Sequence, residues 1–177
     1  MGPRDSRKGL VIVYTGDGKG KTSAALGGII RALGHGFRVK IFQFIKTASR
    51  SGEQKTLQNL GVQVEALGKG FTWKSKDIEE DINLAKKGWK EASEDILSGY
   101  FDLIVLDELN YVLQYGFLKC EDVLSVLRKK PENLHLIITG RGAPQELVDF
   151  ADLVTEMKTI KHPYASKGLK AQKGIEY

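Results

Sequence analysis

The feature that most limits the fold is an apolar run, Leu10–Tyr14, that feeds directly into Thr15-Gly-Asp-Gly-Lys-Gly-Lys-Thr22. A continuous, β-branched run of this kind reads as a strand buried on both faces. Behind the loop, Ala25, Ile29, Ile30 and Leu33 fall at helical spacing within Ser23–Leu33, and Gly34-His-Gly36 ends that helix because glycine tolerates the left-handed turn. A polyphosphate needs many donors and little steric obstruction. The glycines let the backbone curl so that successive N–H groups point inward, and the helix that follows adds its positive end. Thr15, Gly16, Asp17, Gly18, Lys19, Gly20, Lys21 and Thr22 are therefore candidate triphosphate-binding residues. Lys21 is suited to a phosphate oxygen and the Thr22 hydroxyl to Mg²⁺. Lys19 reads either as a phosphate contact or as a solvated side chain. The segment fits G-x-x-x-x-G-K-[ST] except at its first position, where Thr15 stands for glycine and Gly16 and Gly18 offer the turn instead.

Further apolar runs at Val39–Phe44, Val62–Leu67, Leu103–Leu106, Leu134–Thr139 and Leu153–Met157 read as strands. Ile78, Ile82, Ala85, Trp89, Ala92 and Ile96 form one stripe of a long amphipathic helix over 77–97, opened by Asp77 and Glu80 as a capping box. Asp122–Leu127 reads as a short helix, and Pro144 opens another that reaches Phe150, since proline suits the first helical position. Strands alternating with helices predict an α/β fold, a mainly parallel central sheet flanked by helices. The expected organisation is an N-terminal arm (1–9), a single α/β domain (10–157) and a poorly patterned extension of it (158–177).

With 177 residues the chain can bury roughly 70% of its unfolded surface, so it requires neither disulfides nor a structural metal. Cys120 is the single cysteine, which excludes an internal disulfide and suits a reducing interior. No apolar run approaches the roughly 18 residues of a membrane span. Met1–Lys8 is polar and charged, unlike a secretion signal, and the expected setting is cytoplasmic, with no membrane partner. The net charge of +5 suits a polyanionic ligand without identifying one. Part of that excess is a basic C-terminus, and no nucleic-acid motif accompanies it.

Phe101-Asp-Leu-Ile-Val-Leu-Asp107-Glu108 is an apolar strand ending in two carboxylates. Ligands of open α/β sheets bind beyond the carboxyl ends of the strands, so Asp107 and Glu108 are expected beside the phosphate loop. There a carboxylate holds Mg²⁺ or one of its waters, or orients a nucleophile. Asn110 and Tyr111 follow and are candidates for lining the site. Arg50 and Arg141 sit after predicted strands, each reading either as a phosphate clamp or as a solvated cation. Phe71 and Trp73, in a Gly-flanked loop, read either as a hydrophobic plug or as an apolar face for a flat ligand. His35, His135 and His162 lack metal-ligand spacing and are expected in structural or surface roles.

Several segments together go further: Tyr14–Thr22, Phe42-Gln-Phe-Ile-Lys46, Gly70-Phe-Thr-Trp73, Leu106-Asp-Glu-Leu-Asn110, Thr139-Gly-Arg-Gly142 and the ending His162-Pro … Lys170-Ala-Gln-Lys-Gly-Ile-Glu-Tyr177. In order and over nearly the whole chain from Leu10, they resemble the ATP:corrinoid adenosyltransferases with a RecA-like P-loop fold. Threonine at position 15 is typical of that family. Asp17 departs from the asparagine of many relatives and fits only if it points outward or meets Lys19 or Mg²⁺.

The resemblance implies that a reduced Co(I) corrinoid attacks the 5′ carbon of ATP and that triphosphate leaves intact. ATP would bind reversed relative to ordinary P-loop enzymes, so the loop would stabilise a leaving group, and cobalt as nucleophile would need no protein base. Carried over by residue, Gly16–Thr22 bind triphosphate, Lys21, Thr22 and Glu108 serve catalysis, and Thr22 and Glu108, with Asp107, meet Mg²⁺. Phe71 and Trp73 would press on the lower corrin face and exclude its axial ligand, easing reduction to Co(I). A homodimer and a reduced flavoprotein electron donor are likewise implied. Two other classes remain open to the residues alone: a P-loop kinase or hydrolase acting at the γ-phosphate, and a RecA-like nucleic-acid-binding module.

Overall fold

A computed structural model describes residues 8–46, 51–68 and 78–175. Among them six strands form one sheet: β1 (Val11–Thr15), β2 (Val39–Gln43), β3 (Gln63–Ala66), β4 (Leu103–Asp107), β5 (His135–Thr139) and β6 (Leu153–Glu156). Their order is β3-β2-β4-β5-β1-β6, and every pairing is parallel. The connecting helices are α1 (Lys21–Gly34), α2 (Gly52–Asn59), α3 (Ile78–Leu97), α4 (Leu109–Gln114), α5 (Cys120–Leu127) and α6 (Gln145–Phe150), with α7 (Pro163–Lys167) beyond the sheet.

Alternation along the strands divides the core. Ile104, Leu106, Leu136 and Ile138 pack with Ala85, Trp89, Ile96 and Leu127 on one face. Their neighbours Leu103, Val105 and Ile137 pack with Ala25, Ile29 and Leu57 on the other. Successive side chains of a strand point to opposite faces, so continuous apolar runs belong to strands covered on both sides. β3 and β6 are the edge strands, and all four residues of β6 are exposed.

Three helices were not anticipated. α2 has low hydrophobicity and buries only Gln54 and Leu57. Its signal lay in Ser51-Gly-Glu-Gln54, where the Ser51 hydroxyl accepts the Gln54 N–H at 3.3 Å, the first half of a capping box. α4 follows β4 without a linker, and α7 is exposed. Boundaries also differ, among them two helix starts. α1 begins at Lys21, because Gly20 at φ 110° turns the chain early and its carbonyl accepts the Ala24 N–H. Pro144 precedes its helix at ψ 145°, and its carbonyl accepts the first helical N–H groups from Leu147 and Val148. Asp77 lies outside the described residues.

Candidate active site

The ends of β1, β5, β4 and β2 meet at the carboxyl edge of the sheet, and Asp107 is their hub. It is fully buried. Its Oδ1 accepts the hydroxyls of Thr22 at 2.9 Å and Thr139 at 2.7 Å. Its Oδ2 accepts Gln43 Nε2 at 3.2 Å and lies 3.6 Å from Lys46 Nζ. A carboxylate only accepts hydrogen bonds, so the Gln43 amide must turn its NH₂ toward Asp107. That leaves Gln43 Oε1 to accept Gln54 Nε2 at 2.7 Å. Polarity is thus relayed outward to α2. Lys46 also binds Glu53 at 2.8 Å. Burial acts to lower the Lys46 pKa, but the Asp107 charge and the Glu53 hydrogen bond outweigh it, and the net shift is upward.

Glu108 is the opposite case. It is the only described non-glycine residue with positive φ, at 65°, a conformation that costs an L-residue ~1–2 kcal/mol. The turn ends β4 and starts α4 at once, with the Glu108 N–H held by Thr139 Oγ1 at 3.0 Å. Its Oε2 is buried and has no hydrogen-bond partner. Burial and the adjacent Asp107 charge raise its pKa to about 7, against the pull of Lys21, Lys46 and Arg141.

That shift is testable. A carboxyl raised from 4.5 to about 7 holds a proton in the folded state that the unfolded chain has already released. Wild-type stability should therefore fall as pH rises from about 4.5 through 7, by ~3 kcal/mol in total. Glu108→Gln, always neutral, should match wild type near pH 4.5 and melt about 6–12 °C higher at pH 8 without nucleotide. Calorimetric scans across that range are the check, and parallel Tm curves would sink the assignment.

Lys21 is buried, and its Nζ donates to the carbonyls of Gly16 and Gly18, both at 2.7 Å. Burial lowers its pKa, Glu108 and Asp17 oppose this, and Arg141 adds to it. Asp17 is exposed, and its charge acts on Lys21 and Tyr111. Gly16 and Gly18 have a second reason to be glycine. A Cβ on either would come within 2.5 or 2.7 Å of the Met157 carbonyl oxygen, which accepts the Gly18 N–H at 2.6 Å. The chain leaving β6 thus lies against the phosphate loop, at the start of the segment read as an extension. Thr15 is likewise explained: its Oγ1 accepts the Ala143 N–H at 3.1 Å and clasps the loop to the turn bearing Arg141.

Arg141 is exposed yet acts electrostatically on Lys21, Glu108 and Tyr111. Asn110 is buried, with its Nδ2 on the Gly140 carbonyl at 2.9 Å. Tyr111 stacks on Tyr115, and burial followed by the Glu108 charge raises its pKa. His135 Nδ1 accepts the Leu10 N–H, and His162 Nδ1 accepts that of Tyr164. Arg50, Phe71 and Trp73 lie outside the described residues. Gln43, Lys46, Gln54 and Thr139 were not singled out in the sequence as site residues. For Gln43 and Thr139 the signal was available: a polar residue closing an apolar strand at the sheet's carboxyl edge.

The phosphate loop opens α1, and the acidic end of β4 lies one strand removed from it, with β5 between. This arrangement defines a RecA-like P-loop nucleotide-binding protein. A family model described as ATP:corrinoid adenosyltransferase BtuR/CobO/CobP matches residues 7–177, and the chain belongs to that family. It is 42% identical over 176 residues to the corrinoid adenosyltransferase of Pseudomonas aeruginosa, covering 98% of this chain and 86% of that protein. It is 41% identical over 170 residues to corrinoid adenosyltransferase CobA of Salmonella typhimurium, covering 96% and 86%. Among solved structures, flagellar accessory protein FlaH from Methanocaldococcus jannaschii shares the fold. The TM-score is 0.61 at 13% identity, covering 88% of this chain and 74% of that one.

Proposed function

We propose that this chain transfers the 5′-deoxyadenosyl group of ATP to the Co(I) of a reduced corrinoid and releases triphosphate. The observation that carries this reading is the family match over residues 7–177. Cobalt supplies two electrons to form the Co–C5′ bond, and the C5′–O bond breaks with its electron pair going to the triphosphate. The protein's task is then to orient ATP and neutralise the leaving group. We assign this to Lys21, to the start of α1 and to the loop N–H groups other than that of Gly18, which is held by the Met157 carbonyl.

The residues present fit Mg²⁺. Thr22 gives its hydroxyl proton to Asp107, so its oxygen lone pairs remain available. Asp107 is saturated by its neighbours, whereas the Glu108 carboxylate has an unpartnered oxygen. Thr22 and Glu108 would hold the ion, with Asp107 orienting Thr22 from behind. Mg²⁺ keeps few protein ligands and takes phosphate oxygens and waters for the rest. When bound it supplies further positive charge to the triphosphate.

Family membership supports the remaining assignments. Phe71 and Trp73 cover the lower corrin face and exclude its axial ligand, and Arg141 contacts phosphate. The enzyme is a cytoplasmic homodimer that takes electrons from a reduced flavoprotein. Among the described residues no helix is long and apolar enough to cross a membrane.

The test is incubation with ATP, Mg²⁺ and a chemically reduced corrinoid. The expected result is a light-sensitive alkylcobalt product with stoichiometric triphosphate. ADP and phosphate without alkylated corrinoid would overturn the reading in favour of chemistry at the γ-phosphate. In the same assay Trp73→Ala should lose more activity from Co(II) plus reductant than from preformed Co(I). Equal losses would remove the axial-ligand role.

A further inference from the structure

Two buried glutamines are bonded into the candidate active site from the side of α2. Gln54, in the first turn of that helix, is 5% exposed, and Gln43, the last residue of β2, is fully buried. Gln54 Nε2 donates to Gln43 Oε1 at 2.7 Å, and Gln43 Nε2 donates to Asp107 Oδ2 at 3.2 Å. The other oxygen of Asp107 takes the Thr22 hydroxyl at 2.9 Å. Three hydrogen bonds in series therefore join α2 to the first turn of α1. Their direction is fixed from both ends. Asp107 only accepts, so Gln43 must give its NH₂, and the Gln54 amide holds Gln43 in that orientation from the far side.

A second route runs beside the first. Glu53, next to Gln54, binds Lys46 at 2.8 Å, and Lys46 Nζ lies 3.6 Å from the same Asp107 Oδ2. Consecutive residues of one helical turn thus converge, each through one intermediary, on a single carboxylate oxygen. Packing alone does not call for this. Apolar side chains of the same shape in place of both amides would be nearly neutral for stability, and Leu57 already anchors α2.

The consequence falls on the metal. Donors on both oxygens keep the Asp107 carboxylate turned toward the protein, so Thr22 and Glu108 remain as a short set of ligands. Such a set suits Mg²⁺, which keeps most of its shell for water and phosphate, whereas Ca²⁺ takes roughly six to eight oxygens and welcomes a further carboxylate.

We propose that Gln43 and Gln54 are positioning residues that hold Asp107 out of the coordination sphere and so set the preference of the triphosphate site for Mg²⁺ over Ca²⁺. The inference rests on the reading of Thr22 and Glu108 as Mg²⁺ contacts. It adds specificity by withholding a ligand that the wrong ion would use.

The experiment is isothermal titration calorimetry of the whole chain with ATP, in Mg²⁺ and in Ca²⁺, without corrinoid or turnover. Wild type should bind ATP at least about tenfold more tightly with Mg²⁺. Gln43→Met, similar in length, removes the amide donor from Oδ2 and should shrink that ratio by about tenfold, chiefly by tightening binding with Ca²⁺. Gln54→Met, which only releases the Gln43 amide, should shrink it by about threefold. The double variant should match Gln43→Met, because both substitutions act through one oxygen. A ratio that stays at the wild-type value in whichever variant folds, even with both affinities reduced, would assign the amides to packing and overturn the proposal. Additive effects in the double variant would do the same, as would a wild-type ratio near one, which needs no variant at all. ATP binding by wild type that ignores both metals would overturn the metal site itself, and the proposal with it.

Discussion

Lys21→Ala is expected to lower kcat/KM for ATP by about 10²–10³-fold with little change in Tm. The ammonium is buried at the mouth of α1 and bridges the carbonyls of Gly16 and Gly18. In the free protein it holds the loop closed on itself, and on the proposed reading it faces the departing triphosphate. Deleting it removes charge at the position where negative charge develops, while the apolar faces of α1 and β1 keep their packing. Lys21→Arg should not rescue. A planar guanidinium needs a wider site than the compact ammonium that fits between two carbonyls. Steady-state kinetics with ATP varied, beside a thermal melt, separates the effects. A fall of less than about tenfold with the fold intact would place the triphosphate elsewhere.

Asp107→Ala should damage stability and activity together. The substitution strands three donors, two of them on the fully buried Thr139 and Gln43 and the third on the half-buried Thr22. It also takes one of two carboxylates from Lys46, which keeps Glu53. Removing one partner of a buried charged network costs about 3–5 kcal/mol, and the retained Glu53 argues for the lower end. For a chain of this size a loss of ~3 kcal/mol is about 6–12 °C in Tm. Adenosyl transfer should fall as well, because Thr22 loses the acceptor that orients its hydroxyl. A variant melting within about 2 °C of wild type would show that the hub is not structural.

The contrast between the two carboxylates that end β4 was not legible in the residues themselves. Asp107-Glu108 reads as two equivalent acids after a strand, and both were candidates for the metal. In the fold one is saturated by four neighbours and the other keeps an unpartnered oxygen and a pKa of about 7. Thr15, a mismatch to the general phosphate-loop pattern but typical of the family resembled, has its physical reason in the hydroxyl that accepts the Ala143 N–H. The strands were read largely correctly because their burial on both faces leaves an apolar run. α2 was passed over because it buries only Gln54 and Leu57, and α4 because six residues are too few for a helical period to register.

What the sequence determined alone is therefore local. A buried strand, a glycine-rich loop and an amphipathic helix in succession specify a phosphate cradle, since each depends on residues within about one helical repeat of the next. The strand ending in Asp107 and Glu108 is local in the same sense. The tertiary structure decided what meets across the sheet. Thr22 and Asp107 are 85 positions apart, Thr139 and Asp107 are 32, and Thr15 and Ala143 are 128. Those contacts follow from a strand order that places β5 between β1 and β4. Periodicity reports which face of a strand is buried, and it contains no information about which strand lies beside it.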